Sequence, residues 1–301
     1  MRRIPRFLLV IATVAVVLLV SHTVGSQQWR PVRGGIPFGI SGMTLLEQLN
    51  DSRSFLIVHD NKAESQGRLA IVTIKGEESP QYLPLTWPSG IALPIDLEAL
   101  TVVPGTSEPT FMAATSAGRV YHLGWDSSNR TVSMLKVFDL PGIPKESNIE
   151  AFALQKINGQ LLASWAHRGQ DQQPAILYWG RFNLNTYQIT PIGSTPIQVP
   201  LPTSAVRHVS DLKVDSAGVA FISSAADNGD DGPFDSAVYV AGAFALQNQQ
   251  IAFQQNSQLV PLYRFKYHKV EAIELVPGQT GGVIVGSDDE NMGGSVFQGN
   301  Y

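Results

Sequence analysis

Short apolar runs alternate with polar turns along most of the chain, and the runs recur in a fixed order. First runs at 40–46, 97–103, 149–154, 209–214 and 270–275 lead into the turns Asn50-Asp51, Pro104-Gly105, Asn158-Gly159, 216–218 and Pro277-Gly278. Second runs follow at 55–58, 111–114, 161–164, 219–222 and 283–285. After a polar loop come third runs at 69–74, 120–125, 176–179, 237–240 and 295–297, then a more irregular fourth. Runs rich in β-branched and aromatic residues, bounded by Gly, Pro, Asn and Asp, predict short strands joined by tight turns. No window has the length and 3.6-residue period of an amphipathic helix.

With Ser41, Glu98, Glu150, Ser210 and Glu271 as the common marker, five copies follow one another at intervals of 57, 52, 60 and 61 residues. Four short antiparallel strands repeated at about this period predict propeller blades, since a single blade cannot bury both faces until neighbours stack on it. The expectation is an all-β, five-bladed β-propeller; a β-sandwich also has regular strands, but does not require the repeat. The fifth copy ends just after its third run, whereas residues 27–33 stand before the first copy with no partner there. This segment is expected to add the missing outer strand of the last blade and close the ring. Pro31 suits such an edge, where one backbone donor can be spared.

Composition adds a compartment. Residues 1–26 open with Arg2, Arg3 and Arg6, continue as an apolar run over 7–20, and end in small residues, the layout of a secretory signal peptide. The run is shorter than a typical membrane span of roughly 17–25 residues, so cleavage is favoured over the alternative of an uncleaved membrane anchor. Removing these residues leaves 18 basic against 25 acidic, a net charge of −7. Such a chain has no electrostatic footprint for nucleic acid. The absence of cysteine excludes disulfides, thiolate metal sites and a Cys nucleophile. The expected location is therefore periplasmic or secreted, with membrane contact only through an uncleaved N-terminal segment.

Two layers of candidate chemistry follow from the repeat. Glu98, Glu150, Asp211 and Glu271, with Asp96 nearby, fall at the start of the predicted innermost strands. Equivalent positions of successive blades converge on the channel, so these residues predict an acidic ring suited to a hard cation such as Ca²⁺, or else carboxylates bonded within their own blades. Loops after the second strands carry His59, Asp60, His167, Arg168, Asp227–Asp231 and Asp288, Asp289 and Glu290, which strand polarity places on one rim. His59, His167 and Arg168 are the candidates for proton transfer or anion binding; Asp60, Asp288, Asp289 and Glu290 are those for ligand binding. The acidic run from Asp227 lacks the ligand order of an EF-hand. No nucleophile elbow, H-E-x-x-H, P-loop or dinucleotide motif occurs.

The segments from Asn148-Ile149-Glu150-Ala151 to His167-Arg168-Gly169, from Val209-Ser210-Asp211 to Asp230-Asp231-Gly232, and from Lys269-Val270-Glu271-Ala272 to Asp288-Asp289-Glu290 resemble a family of exported bacterial propellers of unassigned function. That family is distantly similar to phytase-like and esterase-like propellers. The resemblance covers about residues 40–301 and implies the fold. The family's usual Glu-Gly pair is Glu-Ala in three copies here and lost in two. The functional expectation is a scaffold that binds a ligand or envelope protein at its rim; the alternative is a calcium-dependent phosphoester or ester hydrolase.

Overall fold

The computed structural model describes residues 28–144, 147–277 and 282–299, so the expected leader at 1–26 lies outside the described residues. A short strand, β1 (Arg30–Arg33), precedes five radially arranged blades. Blade one is β2 (Gly42–Gln48), β3 (Ser52–Val58), β4 (Leu69–Lys75) and β5 (Gln81–Leu85). Blade two is β6 (Leu97–Val102), β7 (Thr110–Thr115), β8 (Arg119–Asp126) and β9 (Thr131–Asp139); blade three is β10 (Ile149–Ile157), β11 (Gln160–His167), β12 (Ala175–Asn183) and β13 (Gln188–Ile197). Blade four holds β14 (Val206–Val214), β15 (Val219–Ala226) and the long β16 (Asp235–Gln247). Its outer edge is shared between β17 (Gln250–Gln255) and β18 (Pro261–Lys266), which pair with opposite halves of β16. Blade five is β19 (Val270–Val276), β20 (Gly282–Asp288) and β21 (Gly294–Gln298), with β1 antiparallel on its outer edge.

Each blade is a meander because its turns are two to several residues of Gly, Asn, Asp and Pro. Asn158 and Gly159, both at positive φ, make the two-residue turn between β10 and β11. Blades are apolar on both faces, and the described hydrophobic core divides into five clusters, one between each pair of successive blades. Phe111 and Leu123 meet Leu56 and Ile71 between blades one and two, and Trp165 and Phe152 meet Met112 and Val120 between two and three. Blades five and one meet through Ile284 and Val296 against Met43 and Phe55. Stability is therefore a property of neighbouring pairs, as in other repeat architectures.

The closure expected from residues 27–33 is present. Trp29 stacks on the His268 ring (centroids 3.9 Å apart) and meets Phe265 edge-on, while Arg30 Nη1 donates to Gly76 O at 2.6 Å. Arg33 lies over the Phe38 ring at 4.3 Å. The closing strand thus grips blades four and one as well as completing blade five.

Candidate functional site

The innermost strands β2, β6, β10, β14 and β19 surround the axis and begin at the same face, where the loops after β3, β11 and β20 also emerge. Three of the marker glutamates enter this mouth by the same backbone device. Leu97 pairs with Thr115 and Ala99 with Ala114, leaving Glu98 as an extra residue in β6. Glu150 in β10 and Glu271 in β19 occupy the same kind of β-bulge. A bulge re-aims one side chain without interrupting the sheet, and here it brings carboxylates into the channel.

A cavity of about 190 Å³ results, lined by Asp60, Lys62, Asp96, Glu98, Asn148, Glu150, Arg168, Arg207, Lys269, Glu271 and Glu290. No apolar side chain is among them. On one side the charges are paired. Glu271 Oε1 lies 2.7 Å from Arg207 Nη1 and 3.1 Å from Lys269 Nζ, and Lys269 also reaches Glu290. Arg207 Nη2 is 2.8 Å from Asp227 Oδ2. Burial opposes charge on Arg207 and Lys269, but the surrounding carboxylates outweigh it and hold both firmly protonated.

On the other side carboxylates outnumber cations. Asp60 has no side-chain hydrogen bond among the described residues; burial, Glu271 and Asp96 push it to about 6. Glu98 is 7% exposed, and burial, then Glu150, Glu271 and Asp96, raise it well above the carboxylate range. Glu150 is 1% exposed and neither of its oxygens accepts a hydrogen bond. Arg168 and Arg207 stand 3.6 and 3.8 Å from it, and burial still lifts it to about 7. Asp96 has φ 65, a strained value for a residue with a side chain, and its carboxylate accepts from Ser116 Oγ at 2.5 Å and pairs with Lys62 at 2.9 Å.

The candidates from the sequence divide accordingly. Asp60, Glu98, Glu150, Arg168, Glu271 and Glu290 line the mouth. Asp211 does not: it is fully buried below, accepting from the backbone N–H groups of Leu212 and Ile273 at 2.7 Å each, and so ties blade four to blade five. The ring expected from equivalent positions therefore lacks a blade-four carboxylate, because an irregularity between Arg207 and Asp211 turns Arg207 into the mouth instead. His59 is buried between Gly39 O and Tyr82 Oη, a packing role within blade one. His167 accepts from Gly169 N–H at 3.1 Å and does not line the cavity. Asp288 caps Glu290 N–H, and Asp289 gathers Lys269 N–H, Ser287 Oγ and His268, so both shape the last loop rather than reach a ligand.

The sequence reading missed Lys62, Asn148, Arg207 and Lys269. Lys269 directly precedes β19 and reaches both Glu271 and Glu290, so its closeness in sequence to the marker glutamate was the one available signal. Below the mouth, Lys213 crosses the axis from blade four and donates to Leu100 O of blade two at 2.6 Å, plugging the channel beside Asp211 and Glu274. Beyond this plug a second, largely apolar cavity of about 520 Å³ opens on the opposite face.

No family model and no curated protein matches the sequence. Among solved structures the chain is similar to an α-L-arabinofuranosidase of Podospora anserina crystallised with cellotriose, at 12% identity and TM-score 0.54, covering 91% of this chain and 98% of that one. It is similar also to the catalytic domain of a Coprinopsis cinerea α-L-arabinofuranosidase (10% identity, TM-score 0.52, covering 91% and 97%). A third is an exo-1,5-α-L-arabinanase from a bovine ruminal metagenomic library (9% identity, TM-score 0.52, covering 88% and 94%). The likeness bears out the propeller fold. It runs to glycosidase propellers, and so corrects the expected affinity with phytase-like ones.

Proposed function

We propose that the mouth binds a small neutral polyhydroxylated ligand and hydrolyses a glycosidic bond in it by general acid–base catalysis. The observation that carries this reading is Glu150: a buried carboxyl facing a polar cavity, with neither oxygen hydrogen-bonded, and with burial holding it at about 7. A proton-transfer group works best when its pKa lies near the working pH. Glu271, fixed by Arg207 and Lys269, supplies the second carboxylate that glycosidic cleavage requires, opposite in environment to the first. The solved glycosidases of the same fold support the substrate class.

A phosphoester fits less well. Six carboxylates line the cavity against four cations, and each of those cations already stands within 4.0 Å of a carboxylate. An anionic substrate would find no unpaired positive group in this lining. The cavity is also smaller than drug-sized ligand sites of about 300–1,000 Å³, which suits one terminal sugar ring.

The test is turnover of a panel of aryl furanosides and pyranosides by the purified protein. Glu150→Gln is expected to lower kcat by about 10²-fold or more with binding retained. The parent rate is expected to fall as pH rises through about 7, as Glu150 gives up its proton. Sugar binding without turnover would instead favour the scaffold reading, and the absence of both binding and turnover would overturn the glycosidase proposal. The leader-like residues 1–26 support placing this activity outside the cytoplasm.

A further inference from the structure

We infer that Asp60, Asp96 and Glu98 form a binding site for a calcium ion at the blade-one and blade-two side of the mouth. One carboxylate oxygen from each lies within 4.8 Å of the other two. Oxygens sharing a Ca²⁺ at about 2.3–2.6 Å stand up to about 5 Å apart, a spacing this trio meets. The donor set is all oxygen, as a hard cation prefers.

Two further observations point to a missing electropositive partner. Glu98, more than nine-tenths buried and lining the cavity, has no hydrogen bond or ion pair among the described residues. Asn148 Oδ1, buried in the same lining, has no donor either. A buried carboxylate without a partner is costly, and orphaned oxygens on one small cavity describe the demand of a cation. The backbone is arranged for it: Asp96 is held at positive φ by its N–H to Asn61 O and by Ser116 N–H to its own carbonyl. The sole cation that reaches the trio within ion-pair distance among the described residues is the Lys62 ammonium, on a side chain 67% exposed. Lys62 thus acts as an internal, displaceable substitute for the metal.

The site requires no assumption about hydrolysis, and it is tested without a substrate. Chelator-treated protein is titrated with CaCl₂ by calorimetry, and its melting is followed with and without Ca²⁺. One ion per chain and a raised Tm are expected, because a ligand that binds only the folded form stabilises it. Glu98→Gln and Asp60→Asn should each weaken binding tenfold or more, while Lys62→Met should tighten it several-fold. No heat and no Tm shift in the parent would overturn the site, as would an unchanged affinity in Glu98→Gln. If the carboxylate variants do not fold, Lys62→Met decides, since that exposed side chain is dispensable for packing: an affinity equal to or below the parent's counts against the site.

Discussion

Glu274 and Asp211 share the Lys213 ammonium at the plug of the channel, and burial dominates both, pushing Glu274 to about 7 and Asp211 to about 6. A carboxyl whose folded pKa exceeds its unfolded one contributes no penalty at low pH. It then loses stability as pH rises from about 4, where the unfolded chain ionises, through the folded value. For Glu274 the window runs from about 4.5 to 7. The neutral isostere Glu274→Gln is therefore expected to stabilise the protein by on the order of 2–3 kcal/mol at pH 8 and by little at pH 5. Denaturant melts of parent and variant at both pH values check this, and a difference that does not grow with pH would refute it. Buried histidines titrate in the opposite sense, His122 being lowered to about 4 by burial, so the comparison of variant with parent is the informative one.

At the scale of the element, the closing segment is anchored by Trp29, the residue just before β1, which sits among Phe265, His268 and Phe297. Truncating a half-buried tryptophan should cost about 2 kcal/mol, somewhat under the 3–5 kcal/mol of a fully buried one. Trp29→Ala is thus expected to lower Tm by several degrees, and removal of residues 28–36 by more; a truncation that melts like the parent would disprove the closure. This strand was legible because a repeat that ends one strand short needs a partner. The three mouth glutamates were legible for a similar reason, as repeated positions converge. Arg207 was not, because its inward turn depends on a local irregularity that breaks the register on which the copies were aligned. Nor was β18, whose alternating run resembles any edge strand until β16 proves long enough to hold two partners. Lys62 and Asn148 come from different loops, and only their spatial meeting in the mouth reveals them.

For the molecule as a whole, blades one to four are assembled from consecutive strands, and among the described residues only blade five joins the first strand to the last. Closing so long a loop carries an entropic cost before the contacts return it. Arg30 faces Val296 and Arg33 faces Gly294, so β21 leads toward β1 as in an ordinary hairpin. A circular permutant joining residue 299 to residue 28 by a short Gly/Ser turn, reopened between β13 and β14, should refold faster than the parent and also unfold faster, having lost its strand closure. Stopped-flow refolding at an unchanged rate would show that docking of β1 is not the slow step.

The place of β1 also sets a timetable. A ribosome delivers this strand among the first described residues, yet its partner exists only once residue 298 has been made. Throughout synthesis the chain is a growing stack of blades with Trp29 and Val32 unburied and the first blade's outer face uncovered. Ring formation is thereby postponed until β21 has been made, and a chain cut short anywhere before it yields an open arc that no amount of later folding can close.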